Sequence, residues 1–250
     1  MNKLPHNIIG SVRGMNIWEQ LVLDDHINVF LGDFFDPYTD DISYEQCKQN
    51  FLEIIDYKKS HPQTILLYGN HELHHLIHGY WLPEPVSWNV SVHFDEEHVE
   101  EIQQILRETQ EHFYGAAYGF DNKYLVTHAG VSDFWYNRWI GPYKQQKPEH
   151  VAKMINKLWI MNPYAFTLLA NCLCDYAECE LEEREWISQS PFSIVRSIVE
   201  GFNLFEGTPY TQIIGYTQSD RIEVQDKFIY VDCLHRATHF EPGITSLIIN

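Results

Sequence analysis

The stretch Val29-Phe-Leu-Gly-Asp33-Phe-Phe-Asp36-Pro-Tyr38 decides the fold. An apolar run ends at a glycine, and two aspartates follow the glycine closely. Buried strands of α/β proteins have this form, and the ligands of such proteins lie in the loops beyond the carboxyl ends of the strands. We therefore predict a strand over Ile27–Leu31 and place Asp33 and Asp36 in the loop that follows it.

Two further predicted strands end in side chains of the same kind. Thr64–Tyr68 leads into Gly69-Asn70-His71-Glu72, and Lys123–Val126 leads into Thr127-His128-Ala129-Gly130. One Asp, one Asn and one or two His that converge from three strands suit a divalent transition metal or zinc. The sequence therefore predicts a polar site at this edge of the fold.

The remaining pattern is that of a single α/β domain. The first half alternates strand and helix signals, which indicates a mainly parallel sheet. The helical segments are Met15–Leu23, Asp41–Lys59, Glu96–His112 and Glu149–Glu185, the last broken by Asn162-Pro163. The other strands are His6–Gly10, the hairpin strand Ala116–Phe120, Gln212–Ile214, Arg221–Val224, Lys227–Val231 and Thr245–Ile249.

Composition limits the classes of function. The chain has 250 residues, 44% of them hydrophobic, which is enough for a full core, and its net charge is −18. Duplex nucleic acid and anionic membranes attract basic surfaces, so neither is expected as a partner. Five cysteines are sparse for a disulfide scaffold, and no apolar run reaches the length of a membrane span. We expect a cytoplasmic protein.

The three strand ends resemble a known family. The order Gly-Asp-x-x-Asp, Gly-Asn-His-Glu, Thr-His-Ala-Gly is similar to that of the calcineurin-like metallophosphoesterases, in the branch of serine/threonine phosphatases and diadenosine tetraphosphatases. Proline after the second aspartate further resembles a bacterial and phage subgroup. The resemblance implies an α/β fold of two facing β-sheets flanked by helices, an αββα sandwich. It also implies one domain over residues 1–250 with a helical insertion at about 134–205.

The resemblance implies a role for each matching residue. Two metals of the family share a carboxylate and a hydroxide that attacks phosphorus. By position, Asp33 is the shared ligand, and Asn70 and His128 are ligands of the second metal. His71 is the general acid, and Asp36 orients it.

The sequence departs from the family pattern at three metal-ligand positions. Ser11 and Arg13 stand where the first metal takes an Asp and a His, and Tyr216 stands where the second takes a His. Neutral Ser is a poor ligand, and Arg stays protonated. We therefore expect no two-metal hydrolysis, and one divalent metal (Mn, Zn or Fe) at the second site or none. Arg196, in the segment Gln189–Arg196, resembles a phosphate-facing arginine of the subgroup.

The position of Arg13 in the sequence leads to a hypothesis about where its side chain lies. Residues 11 and 13 lie on the same side of an extended chain, so the guanidinium is predicted to project into the first metal position. There it would pair with Asp33 and with Asp36. The alternative is a side chain that points into solvent.

Three functions remain open. The first is a pseudophosphatase, a degenerate metallophosphoesterase that serves as a binding or structural protein with a protein partner. The second is a phosphoesterase with one metal at Asp33, Asn70 and His128, acting on a phosphate-containing small molecule or a phosphoprotein. Arg13 and Arg196 would then supply positive charge, with the proton coming from the general acid. The third is a module that binds phosphate or nucleotide near Arg13 without turnover.

Two other metal patterns are interpreted as incidental. His71-Glu72-Leu-His74-His75 fits the zinc-helix pattern His-Glu-x-x-His, but His71 directly follows a strand, and the other histidines are expected on a solvated helix face. Cys172, Cys174 and Cys179 lack the paired spacing of a structural zinc site and are expected to pack within a helix.

Overall fold

Two β-sheets form the centre of the part of the chain that the structure describes. The computed structural model describes residues 3–77, 93–131, 136, 140, 147–161, 209–215, 219–237 and 240–250. The first sheet contains β1 (His6–Ile9), β2 (Ile27–Phe30), β3 (Ile65–Leu66) and β9 (Leu247–Ile249). Its order is β3-β2-β1-β9, with the first three strands parallel and β9 antiparallel to β1.

The second sheet is mixed and has the order β4-β5-β6-β8-β7. Its antiparallel hairpin, β4 with β5, was predicted from the sequence, while β6 runs parallel to both β5 and β8. Strand β7 closes the edge antiparallel to β8. The strands are β4 (Ala117–Phe120), β5 (Tyr124–Thr127), β6 (Thr211–Ile214), β7 (Glu223–Gln225) and β8 (Phe228–Tyr230).

The alternating direction of the side chains along each strand gives each sheet one face toward the other sheet and one face toward the helices. Successive strand side chains point to opposite faces of a sheet. Ile8 and Val29 lie in the core cluster shared by the two sheets, together with Val126 of the second sheet. Their neighbours Ile9 and Phe30 pack in the cluster under the helices instead. The result is an αββα sandwich, which confirms the expected fold class.

Among the described residues, four α-helices flank the sheets. They are α1 (Tyr44–Ser60), α2 (Asn70–Ile77), α3 (Val99–Glu108) and α4 (Pro148–Met161). Helix α1 begins at a capping box, in which Ser43 accepts from the Gln46 N–H and Gln46 accepts from the Ser43 N–H. Helices α1 and α3 cover the first sheet, and α4 covers the second through Val151 and Ile155.

Several predicted boundaries differ from the structure. The segment Met15–Leu23 contains only a short 3₁₀ helix, Asn16–Gln20, and the strand expected over Thr64–Tyr68 is reduced to β3. Helix α4 is described up to Met161, and the predicted break at Asn162-Pro163 lies outside the described residues. The rest of the predicted helix and most of the proposed insertion at 134–205 lie outside the described residues. None of the described helices is long and apolar enough to cross a membrane.

Candidate active site

Three residues that follow two neighbouring strands have an unusual backbone conformation. Arg13 follows β1 with φ +40°, and Asp33 and Asp36 follow β2 with φ +57° and +58°. Residues other than glycine rarely adopt positive φ, and such positions cluster at functional sites, where the surrounding structure holds them in place. All three side chains are buried. The fold therefore maintains local strain at the place where the sequence predicted a site.

Glu72 holds two of the strand ends together. Its carboxylate accepts hydrogen bonds from the backbone N–H groups of Asp33 and Gly69 at 2.7 and 2.8 Å, and from that of Phe34 at 2.7 Å. A side chain at Gly69 would collide with the Asp33 backbone and carboxylate, so only glycine fits the close approach. Burial and the charge of Asp33 raise the pKa of Glu72 to about 7. Sequence reasoning gave Glu72 no role, although it is the fourth residue of the Gly-Asn-His-Glu motif.

Arg13 is buried at the centre of the site. Its Nη2 lies 2.6 Å from Asp33 Oδ2, which is the contact expected from the sequence. Its Nη1 donates to His71 Nε2 at 2.7 Å and to the Asp36 backbone oxygen at 3.1 Å, so the second expected partner is reached through its carbonyl rather than its carboxylate. The guanidinium also lies 3.9 Å from the centre of the Tyr38 ring. The alternative of a solvent-pointing Arg13 is wrong.

The charges of this pair are strongly stabilised. Burial would lower the pKa of Arg13, but Asp33, Tyr38 and the other acidic neighbours together outweigh burial and raise it, so the guanidinium stays charged. Burial would likewise raise the pKa of Asp33, but His128, Arg13 and His71 hold it at about 2. A buried ion pair of this kind requires both partners, because either one alone would be an uncompensated charge.

Asp36 accepts hydrogen bonds from two histidines of α2. His71 Nδ1 lies 2.6 Å from Asp36 Oδ2, and His75 Nε2 lies 3.0 Å from both carboxylate oxygens. Burial would raise the pKa of Asp36, but these hydrogen bonds keep it well below its ordinary value. The carboxylate therefore fixes the orientation of both rings.

These contacts assign the proton of His71. Arginine can only donate, so His71 Nε2 must accept from Arg13. The ring proton then lies on Nδ1, where it is donated to Asp36. A second proton on Nε2 would face the Arg13 N–H group directly. In this arrangement Nε2, the nitrogen that would point at a leaving group, carries no proton.

A second set of lone pairs lies beside Asp33. His128 Nδ1 donates to the Leu31 carbonyl at 2.7 Å, which leaves Nε2 as an acceptor 3.3 Å from Asp33 Oδ2. Burial lowers the pKa of His128 and favours this neutral form. The side-chain amide of Asn70 lies 2.8 Å from the same Nε2.

The Asn70 amide can face this pair in two ways. With its nitrogen inward, it donates to His128 Nε2 and, at 3.3 Å, to both oxygens of Asp33. With its oxygen inward, Asn70 Oδ1, His128 Nε2 and Asp33 Oδ2 face one another with no proton between them. A divalent cation stabilises such a group of lone pairs. These three residues therefore fit the second metal of the resembled family, and when bound such a metal would act as a Lewis acid toward a phosphate oxygen.

The residues at the first metal position do not fit a metal. Ser11 Oγ donates to the Gly215 carbonyl at 3.2 Å, and the charged guanidinium of Arg13 occupies the oxygen of Asp33 that a cation would need. Among the described residues, no group of three or more His, Cys, Asp or Glu side chains is arranged to hold a metal ion. The residues at the second metal position of the resembled family therefore fit a metal, and those at its first position do not.

Sequence reasoning missed a loop that also borders Arg13. Asp232 and His235 follow β8; Asp232 Oδ1, Arg13 Nε and His235 Nε2 are buried, and each has no hydrogen-bond partner among the described residues. Burial raises the pKa of Asp232 to about 7, although Arg13 lowers it. Burial and the charge of Arg13 lower the pKa of His235 to about 4. The rule that ligands follow strand ends would have drawn attention to this loop.

Helix α2 corrects the interpretation of the histidine-rich motif. His71 lies inside the first turn of α2 rather than before it, and His74 and His75 are buried instead of solvated. The zinc-helix pattern is nevertheless not used for metal, because Glu72 binds backbone N–H groups while His71 and His75 bond Asp36. The remaining candidates Arg196, Tyr216, Cys172, Cys174 and Cys179 lie outside the described residues.

Comparisons with known proteins agree with this fold. The family model described as calcineurin-like phosphoesterase matches residues 14–176. A solved structure described as a cold-active protein tyrosine phosphatase superposes with a TM-score of 0.51 at 15% identity, covering 94% of this chain and 71% of that one. A point mutant of a cold-active protein tyrosine phosphatase gives the same TM-score and identity, with 72% of that chain covered. No curated protein matches the chain.

Proposed function

Because the chain belongs to the calcineurin-like phosphoesterase family, we propose that it keeps the scaffold of a metal-dependent phosphatase and no longer hydrolyses phosphate esters by the two-metal route. It would then be a pseudophosphatase that acts as a binding or structural protein. The observation that carries this proposal is the buried guanidinium of Arg13, 2.6 Å from Asp33 and 2.7 Å from His71.

The positive charge of Arg13 disfavours metal binding at the first metal position. A dication beside Asp33 would lie against a guanidinium that burial and ion pairing keep charged, and like charges at such distances repel strongly in a buried site. Ser11 supplies no anionic oxygen to offset that repulsion, and its hydroxyl is engaged by the Gly215 carbonyl. The guanidinium of Arg13 would therefore supply the positive charge that a metal ion supplies in the family.

The Arg13 side chain also prevents His71 from acting as a general acid. A leaving group needs a proton from His71 Nε2, and this nitrogen accepts a hydrogen bond from Arg13 Nη1. Protonation of Nε2 would set two donors against each other at 2.7 Å. The loss of metal activation and the loss of the acid therefore have one cause.

The test is hydrolysis of p-nitrophenyl phosphate and bis(p-nitrophenyl) phosphate by the full chain in Mn²⁺ or Zn²⁺. We expect the rates of wild type, His71→Ala and His128→Ala to be equal and at background. A wild-type rate that both variants abolish would overturn the proposal, because contaminating enzymes would not respond to these substitutions.

A second candidate function rests on the lone pairs of Asp33, Asn70 and His128. If this set binds one Mn²⁺, Zn²⁺ or Fe²⁺, the chain could act on a phosphate-containing small molecule or a phosphoprotein with a single metal. Elemental analysis after metal loading distinguishes the candidates. About one equivalent that is lost in Asp33→Asn favours the single-metal phosphoesterase, and no bound metal favours the pseudophosphatase.

The setting of the protein follows from its charge and thiols. We propose a cytoplasmic, reducing compartment, because the two described cysteines, Cys47 and Cys233, are buried free thiols. The net charge of −18 favours a protein partner over duplex nucleic acid or an anionic membrane.

A further inference from the structure

Three buried polar atoms in the Arg13 region have no hydrogen-bond partner among the described residues. They are Arg13 Nε, Asp232 Oδ1 and His235 Nε2. Arg13 and Asp232 are only 3% and 1% exposed, so bulk solvent does not satisfy their polar atoms. Buried polar groups in folded proteins are nearly always bonded to the chain or to an ordered molecule. The three atoms therefore indicate a bound molecule.

The segments that carry these atoms converge next to the guanidinium. Gly10, directly after β1, approaches the loop after β8 so closely that a Cβ on it would lie 3.3 Å from Asp232 Cα. The centre of the His235 ring lies 4.3 Å from that of Tyr38, and the Arg13 guanidinium lies 3.9 Å from the same Tyr38 ring. Burial dominates the pKa values of Asp232 and His235, but the charge of Arg13 lowers both, as a close neighbour does. The three atoms thus border one small region beside Arg13.

The hydrogen-bonding character of the three atoms limits what can bind between them. Arginine Nε only donates, and the ionised carboxylate of Asp232 only accepts. The His235 ring donates to the Ser11 carbonyl, and because Nε2 has no partner the donor is Nδ1. Burial and the charge of Arg13 lower the pKa of His235 to about 4, so the ring is neutral and Nε2 accepts. The bound molecule must therefore accept one hydrogen bond and donate two.

The charges of the region exclude ions. An anion would lie against the carboxylate of Asp232, and a cation would lie against the guanidinium of Arg13; both repulsions are strong in a buried site. Water is neutral, has two hydrogens to donate and two lone pairs, and typically makes about three hydrogen bonds when it is buried. It matches one donor and two acceptors without a remainder.

We propose that one ordered water molecule bridges Arg13 Nε, Asp232 Oδ1 and His235 Nε2. It accepts from the guanidinium and donates to the carboxylate and to the imidazole. This contact at Nε adds to those that His71 and Asp33 make with Nη1 and Nη2, so every nitrogen of the guanidinium has a partner. The water site goes beyond the proposed function, because its occupancy depends neither on hydrolysis nor on a bound metal.

A crystal structure of the full chain provides the direct test. At about pH 8, where Asp232 is ionised, we expect a water peak within about 3.2 Å of all three atoms. A direct hydrogen bond between Arg13 Nε and Asp232 Oδ1, with no peak between them, would overturn the proposal. A bromide ion at this position in a crystal soaked in sodium bromide would also overturn it, because the site would then bind an anion.

The Nε–H group of Arg13 reports on the water in solution by NMR. We expect a cross-peak between this proton and water, of the sign that distinguishes proximity from chemical exchange, and no such cross-peak for the exposed Arg107. Asp232→Asn keeps an oxygen acceptor and should keep the cross-peak. Asp232→Leu removes the acceptor and fills its space, so the cross-peak should disappear.

A further variant covers the case in which Asp232→Leu does not fold. His235→Phe keeps a ring against Tyr38 but removes the Nε2 acceptor, so it should weaken the cross-peak of Arg13 Nε–H with water. A wild-type chain without this cross-peak, or a cross-peak that is unchanged in every folded variant lacking an acceptor, would contradict the bridging water.

Discussion

At the level of single residues, Arg13 places a guanidinium beside Asp33, and a guanidinium differs from a metal ion in the directions of its contacts. A divalent ion attracts lone pairs from every direction, whereas a guanidinium donates in one plane. Arg13 bonds Asp33 Oδ2, His71 Nε2 and the Asp36 carbonyl, yet its Nε has no hydrogen-bond partner among the described residues. Arg13 thus donates to three neighbouring acceptors, while one of its own donors has no partner among the described residues.

The variant Arg13→Met tests how much of the stability depends on this cation. It leaves Asp33 as a buried charge without its arginine, and breaking a buried pair on one side costs about 3–5 kcal/mol. Urea denaturation should show that loss in the free energy of unfolding. Arg107→Met, on the exposed surface of α3, is the matched control, and an equal small loss in both variants would contradict the prediction.

The pH dependence of stability tests Asp232. Its pKa is raised from 3.8 to about 7 in the folded chain, so between these values the folded state binds more protons than the unfolded state. The stability from this bound proton is complete below pH about 4 and is lost as the pH rises through about 7. The difference in unfolding free energy between wild type and Asp232→Asn should therefore change by a few kcal/mol over this window.

Urea denaturation at steps between about pH 4 and about pH 8 measures this difference. Asp220→Asn, at an exposed aspartate of the same region, serves as the control for general charge effects. A difference between wild type and Asp232→Asn that stays constant with pH would show that Asp232 titrates alike in the folded and unfolded states.

The sequence predicted residues that lie together wherever a strand signal ended in a motif. Asp33, Asn70 and His128 are brought together in this way, and the contact of Arg13 with Asp33 followed from the side that residues 11 and 13 share. The hydrogen bond from Arg13 to His71 could not be predicted, because it depends on a positive φ at residue 13 that no local pattern indicates. Asp232 was missed because its strand, β8, is short and carries no familiar motif.

At the level of elements, helix α2 acts as a clamp on the loops of the first sheet. Glu72, in its first turn, gathers three backbone N–H groups from the ends of β2 and β3. Each buried N–H group that lost its acceptor would cost about 1–3 kcal/mol. The conformation of Asp33 and its neighbours therefore depends on a residue that need not touch a ligand.

Substitution of Glu72 should loosen this clamp locally. In Glu72→Ala the amide groups of Asp33, Phe34 and Gly69 lose their acceptor, so their hydrogen exchange should accelerate at least about tenfold, as a loss of about 1.4 kcal/mol or more implies. Amide exchange followed by NMR measures this effect. Glu108→Ala, on the exposed face of α3, should leave the three amides unchanged; equal protection in both variants would mean that Glu72 does not hold the loops.

Element boundaries were harder to predict than element types. The hairpin and α1 follow directly from turn chemistry and helical periodicity. The helix expected over Met15–Leu23 is shortened to Asn16–Gln20, because Trp18 and Leu21 are buried in the core cluster under the helices and tertiary packing prevails over propensity. Strand β3 is short since the chain leaves the sheet early and Tyr68 N–H bonds the Gly115 carbonyl instead.

At the level of the whole molecule, we expect folding to be independent of the residues at the metal-ligand positions. The sandwich core and the Glu72 clamp are built from apolar packing and hydrogen bonds of the chain itself, so we expect the fold to persist without the metal ligands. Three residues depart from the metal-ligand pattern of the family, namely Ser11, Arg13 and Tyr216. If the fold is independent of the metal ligands, restoring the family's ligands at these positions should restore metal binding.

The triple variant Ser11→Asp, Arg13→His, Tyr216→His tests this expectation. It removes the resident cation and returns two ligands to the first metal and one to the second, so we expect about two equivalents of Mn²⁺ by elemental analysis, against at most one for wild type. Bound metal should also raise the melting temperature, since it stabilises only the folded state. Adding Asp33→Asn removes the shared ligand and should abolish both effects. If the triple variant folds but binds no more metal than wild type, then the loops have drifted too far from the dinuclear geometry, and Arg13 is a consequence of that drift rather than its cause.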